Sequence, residues 1–208
     1  MTDTGRAGRV RLERRLTVAR HGADLLDRKQ RILADELERL EIVASHADAQ
    51  WRDLAAVAAT WLRRSAALDG RAQITSTAPL VPARVEVAWG GAMGVAFPLE
   101  ARGLSIPPAT AGGSSALSFA VAAHAEALEA AVEHAVATRA VQLVSAELAA
   151  TRSRLHAVEK RWIPRLEDRL KAIRRAQDAL ELEESLRLRW AAGAAGAGAR
   201  SLARSEGS

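Results

Sequence analysis

Apolar residues recur at alternating steps of four and three from Leu12 to Trp61. The row is Leu12, Leu16, Ala19, Ala23, Leu26, Gln30, Leu33, Leu37, Leu40, Ala44, Ala47, Trp51, Leu54, Ala58 and Trp61, and Gln30 alone interrupts it. Such spacing draws one stripe along an α-helix, and about seven such repeats make a coiled-coil seam. No Gly or Pro falls within residues 23–69. Roughly 60 helical residues at ~1.5 Å each reach about 90 Å. One compact domain cannot bury a helix of that length, so it needs a partner helix along most of its course.

The partner is expected later in the same chain. Residues 116–190 contain one helix breaker, Pro164. Apolar positions here include Leu117, Val121, Leu128, Val132, Leu143, Leu148, Leu155, Val158 and Trp162. A strict heptad would continue at Arg165 and Arg169, yet the apolar row resumes at Leu166, Leu170, Ile173, Gln177 and Leu180. The frame gains one residue where the proline stands. Proline deletes a helical hydrogen bond, here to the carbonyl of Lys160, and an inserted residue locally unwinds a supercoil. Both point to one continuous helix, kinked near Pro164.

Between the helices the character changes. Asp69-Gly70 offers a C-terminal glycine stop. Val85, Val87 and Trp89 alternate, and after Gly90-Gly91 so do Met93, Val95 and Phe97, which predicts a β-hairpin. Pro98 ends the second strand or marks it as an edge. Residues 103–115, rich in Gly, Pro and Ser, read as a loop, with Ser114 or Ser115 capping the next helix. The expected organisation is one elongated domain: a long helix over 9–69, loop and hairpin over 70–115, a second long helix over 116–192, and a disordered Ala/Gly tail over 193–208. The fold class is all-α dominated, a long antiparallel two-helix coiled coil with a short central β-hairpin. Both termini should then meet at one tip, with the hairpin toward the other.

Composition agrees with thin helical packing. Of 208 residues 49% are hydrophobic, but much of that share is alanine, and only 3% are aromatic. No cysteine is present, which excludes disulfides and thiolate chemistry. No apolar run approaches 18 residues, and the N-terminus lacks the apolar core of a signal peptide, so a cytoplasmic chain without membrane insertion is expected. The net charge of +5 is concentrated at the ends. Arg9, Arg11, Arg14 and Arg15 crowd one end and Arg187 and Arg189 the other, a basic tip suited to an acidic partner.

Three stretches carry a family resemblance. Residues 11–33 (RLERRLTVARHGADLLDRKQRIL) combine a basic start, an Ala-Arg-x-Gly step and a Leu-Leu-x-x-Lys run. Residues 92–98 (AMGVAFP) set Met93, Gly94, Val95 and Pro98 in a Met-Gly-Val-x-x-Pro element. Residues 162–189 (WIPRLEDRLKAIRRAQDALELEESLRLR) follow Ile-Pro-x-Leu with a Glu-rich stretch and a basic end. Together they resemble the D subunits of the V-type and A-type ATPases, which form the central rotor stalk. The resemblance implies a helical axle inside a hexamer of nucleotide-binding A/B-type subunits. It also implies a small side-bound F subunit on the stalk, a subunit linking to the membrane rotor ring, and a place peripheral to the membrane. It implies a hexamer-bearing tip at Arg9, Arg11, Arg14, Arg15, Arg187 and Arg189, and no chemistry of the chain's own.

The residues agree with that last point. No Gly-x-x-x-x-Gly-Lys-Ser/Thr loop is present, and the glycines at 193, 196 and 198 lack the lysine a phosphate loop needs. The five histidines are scattered without metal-ligand spacing. Neither a cofactor nor nucleic acid is expected, because the basic residues alternate with acids and lack aromatic platforms. Periodicity by itself fits a coiled-coil scaffold or adaptor equally well; the motifs favour the rotor.

Overall fold

The computed structural model describes residues 5–110 and 112–205, with side chains through residue 190. The element order is α1 (Arg6–Thr77), β1 (Arg84–Ala92), β2 (Val95–Ser105), α2 (Ser115–Ala157), a π-helical turn (Val158–Trp162) and α3 (Ile163–Ser205). The fold is all-α with a small two-stranded antiparallel sheet. It divides into two compact units, one of Met1–Leu26 with Arg154–Ser208 (unit I) and one of Asp27–Ser153 (unit II).

In unit II, α1 and α2 run antiparallel. As numbers rise on α1 their partners fall on α2: Lys29 pairs with Glu147 at 2.8 Å, Trp51 stacks on His134, Trp61 stacks on Phe119, and Asp69 meets Ser114. The α1 side of this seam follows the predicted row, with Leu33, Leu40 and Ala58 buried and Leu37 half-buried. The α2 side follows it only in part: Leu117, Leu148 and Leu155 are buried. Val121 and Leu128 face solvent, while Ala116, Ala120, Ala127, Ala130, Ala137 and Ala140 are buried with Val144 and Leu148. All of these alanines but Ala140 belong to two seven-residue rows, 116–123–130–137–144–151 and 120–127–134–141–148–155. A side chain of one carbon lets two helices approach closely, so small residues line the contact and larger ones point away.

Gly70 adopts a positive φ of 75°, as a helix stop would, yet helix resumes beyond it to Thr77. Asp69 explains part of the arrangement. Its carboxylate accepts hydrogen bonds from the Ser114 amide at 2.7 Å and the Ser114 hydroxyl at 2.6 Å, fastening the start of α2. Ser114 itself caps α2, since its hydroxyl accepts from the Leu117 amide.

The hairpin differs from expectation in turn, length and position. Met93 (φ 50°) and Gly94 (φ 82°) form the two-residue turn between the paired Ala92 and Val95. Two consecutive positive φ values are the primed turn that matches strand twist. Gly90 and Gly91 lie inside β1 instead, and β2 continues past Pro98 to Ser105. Pro98 sits at a register shift beside Trp89, where its missing N–H fits an irregular ladder. Nor does the hairpin stand apart at the end of the helices. Phe97, 2% exposed, packs with Leu33, Leu40, Ala140, Val144 and Leu148, and Ala92 and Val95 pack against the same cluster. Phe97 is the largest side chain of that core.

In unit I, α1 and α3 are again antiparallel. Glu13 pairs with Arg174 at 3.1 Å and Arg20 with Glu167 at 2.8 Å. Leu16, Leu166 and Leu170 form the buried core, flanked by Leu12, Ala19 and Ile163. The chain passes from α2 through the π turn into α3 without leaving helical backbone, and the Ile163 amide bonds to the Val158 carbonyl five residues back. Pro164 follows directly. A proline ring clashes with the carbonyl four residues earlier, and a widened turn relieves the clash while absorbing the extra residue. Helical backbone continues to Ser205, through alanines that favour helix, where a disordered tail was expected from 193; residues 206–208 lie outside the described residues.

Candidate interaction surfaces

The predicted tip residues sit on both strands of the unit I helix pair, but they do not gather. Arg9, Arg11, Arg14 and Arg15 are exposed on the first turns of α1. The pairing of Glu13 with Arg174 sets the register. Arg9 lies one helical turn from Glu13, whereas Arg187 lies 13 residues beyond Arg174, about 20 Å along α3. Arg187 is engaged by Glu183 at 2.6 Å. Leu180, placed on the seam by its spacing, is 64% exposed, and Leu182, Leu186, Leu188 and Trp190 are exposed as well. Among the described residues, this part of α3 runs beyond the register of its α1 partner. Of the other seam residues, Leu26 and Ile173 are half-buried.

The hairpin motif splits by role. Val95 is half-buried against the core, Pro98 is buried, and Met93 and Gly94 make the turn. Val85, Val87 and Trp89, the last paired with Pro98 in the ladder, are exposed, as is Leu99. Arg102 and Glu100 form an exposed ion pair on β2.

Two features of unit II escaped the sequence reading. One is an apolar groove of ≈ 470 Å³ where α1 and α2 meet the connecting segments. Leu62, Ile74, Val81, Pro82, Ile106 and Leu117 are among its walls. The prolines at 79, 82, 107 and 108 were the available signal, since they force extended backbone on both flanks of the hairpin. The other is a cluster on the seam. The Trp51 and His134 rings stack at 5.3 Å and 3°, with Asp48 4.0 Å from His134 Nε2.

Among the described residues no three His, Asp or Glu side chains converge to hold a metal ion. His124 Nδ1 lies 2.7 Å from the carbonyl of Ala120 on its own helix, a local contact. Hydrogen bonds from Arg39 hold Glu36 below the usual carboxylate range, against an opposing effect of burial, and the charge of Arg39 adds to the lowering. That is the behaviour of a surface ion pair. No described helix is long and apolar enough to cross a membrane. What the chain offers is surface.

The family of ATP synthase D subunits matches residues 9–193. The V-type ATP synthase D subunit of Anaeromyxobacter sp. (strain Fw109-5) is 33% identical over 201 residues, covering 90% of this chain and 91% of that relative.

Proposed function

The chain belongs to the family of ATP synthase D subunits, and from that premise we propose that it is the central-stalk axle of a V/A-type ATPase. In this reading it turns within a hexamer of nucleotide-binding A/B-type subunits and carries the small F subunit of the stalk on its side. It passes torque through a linking subunit to the membrane ring, where ions move. It stays peripheral to the membrane and does no chemistry itself.

The observation that carries the reading is the antiparallel helix pairing within each unit. Interlocked seams and cross-helix ion pairs, Lys29 with Glu147 and Glu13 with Arg174, resist sliding of one helix along the other. A shaft that transmits torque needs that resistance.

The test has two arms. The purified chain should neither bind nor hydrolyse ATP, and adding it to the hexamer should raise ATP turnover. Micromolar ATP binding by the chain alone would defeat the proposal, as would a hexamer indifferent to its presence.

A further inference from the structure

The two seven-residue rows that reach Thr151 and Leu155 would run on through Val158 and Trp162 to Arg165 and Arg169. Had the helix stayed regular, those side chains would face α1. The π turn inserts one residue, and Leu166 and Leu170 are buried in their place at 4% and 7% exposure. Trp162 is thereby turned outward, 52% exposed, with Arg165 and Arg169 exposed on the same side. Arg161 is exposed one residue before the tryptophan. From α1, the Arg15 guanidinium lies 6.0 Å from the centre of the Trp162 ring. Among the described residues, none of Arg15, Arg161, Arg165 and Arg169 has an ion-pair partner, although nearby Arg20 and Arg174 do.

We propose that this face, Trp162 ringed by Arg15, Arg161, Arg165 and Arg169, docks an acidic surface of another protein subunit in the assembly. The proposal rests on the axle reading and names the chemistry of one contact. Trp and Arg are the residues that most often anchor interfaces. A π turn inside an α-helix often marks a functional position. Four unpaired guanidiniums around one exposed ring attract carboxylates, and unit I as a whole carries 18 Arg and Lys against 11 Asp and Glu. Glu159 and Asp168 border the face. They would repel a continuous phosphate backbone, whereas carboxylates fixed on a folded partner can avoid them.

Photo-crosslinking in the complex purified from the native host tests this directly. A photoreactive residue at position 162 of the full chain should join to an Asp/Glu-rich peptide of another subunit. Crosslinks only to nucleic acid, to lipid or to this chain overturn the proposal, as does an intact complex with no crosslink. If the chain purifies with no other ATP synthase component, the axle reading fails first and takes this one with it. As a second measure, R161E/R165E should bind at least tenfold more weakly to a complex reconstituted without the native chain, with an unchanged melting temperature. R161K/R165K should bind within about threefold of the native chain at low salt. Trp162→Phe should keep most of the affinity that Trp162→Ala loses. Undiminished binding by R161E/R165E overturns the proposal.

Discussion

Leu33 in unit II and Leu166 in unit I fill equivalent places on helical seams, yet their surroundings differ. Around Leu33 the opposing helix presents Ala140, Val144 and Leu148, with Val141 and Leu143 beside them, and a hairpin adds Phe97. Around Leu166 the described residues that pack are side chains of two helices. Charge divides the same way. Unit II holds 12 basic against 14 acidic residues, and unit I is strongly basic. A seam of small residues brings helices close but buries little area, so unit II needs a third element to make a core. A leucine seam buries enough by itself and leaves its outer surface free for cations. One chain thus uses the same antiparallel pair in two ways, as a packed body and as a bare, charged shaft.

The contrast is tested most severely by two aromatic truncations. Phe97→Ala should cost about 3–5 kcal/mol in urea unfolding, because it empties the middle of the unit II core. Trp162→Ala removes a larger side chain and should cost about 1 kcal/mol or less, because half of that ring already meets water. Equal losses would mean that the hairpin is an ornament on the helices after all. By the same reasoning, replacing residues 84–98 with a Gly/Ser linker should destabilise unit II.

A second pair sharpens the limit of unit I. Leu166→Ala should cost roughly 2–3 kcal/mol, near the lower end for a buried leucine because a two-helix core can partly close around the gap. Leu180→Ala should change stability by no more than about 0.5 kcal/mol, since its side chain is 64% exposed. Thermal unfolding of the two variants side by side locates where the seam ends.

What was legible in the sequence follows from how each feature is encoded. The α1 row, the Ser114 cap and the frame gain near Pro164 rest on large apolar residues, hydroxyl caps and proline, whose local chemistry is strong. The α2 seam was read in part: Leu117, Leu148 and Leu155 are buried as expected, but alanine weighs little in any count of hydrophobic spacing, so Val121 and Leu128 were named in place of the alanines that pack. The turn was misplaced because Gly-Gly is a familiar turn pair, whereas Met93 takes a positive φ that its own chemistry disfavours. The location of the hairpin is a long-range contact between Phe97 and helices about 60 residues before and 45 after it, and no local pattern records that. The tip arginines were placed by symmetry, but the register set by Glu13 and Arg174 separates them.

Pro164 offers a smaller effect with a sharp reading. Alanine there supplies an amide that can bond to a freed carbonyl, worth about 1 kcal/mol, while greater unfolded-state entropy opposes it by about 0.4–1 kcal/mol. Stability should therefore move by less than about 1 kcal/mol. The π turn should remain, because removing it would bury Arg165 and Arg169 and expose Leu166 and Leu170. Acrylamide quenching of Trp162, with the other four tryptophans replaced by phenylalanine, should be unchanged by Pro164→Ala. Protection of Trp162 in that variant would show that the proline, and not the leucine seam, sets the frame.

The smallest effect belongs to Glu36. Its carboxyl is held below the usual range chiefly by hydrogen bonds from Arg39, so the charged form favours the folded state. The resulting stability is present above the unfolded carboxylate pKa, about 4.3, and is lost as pH falls through the lower folded value. Arg39 is largely exposed, and water screens such pairs to a few tenths of a kcal/mol. Glu36→Gln should therefore lower the unfolding free energy by about 0.2–0.5 kcal/mol at pH 7, and the difference from the native chain should vanish at pH 3. A loss above about 1 kcal/mol at neutral pH would mean that this surface pair on α1 contributes to unit II as strongly as its core does. The division of labour between a packed interior and a solvated charged surface would then fail in the unit where it is drawn most clearly.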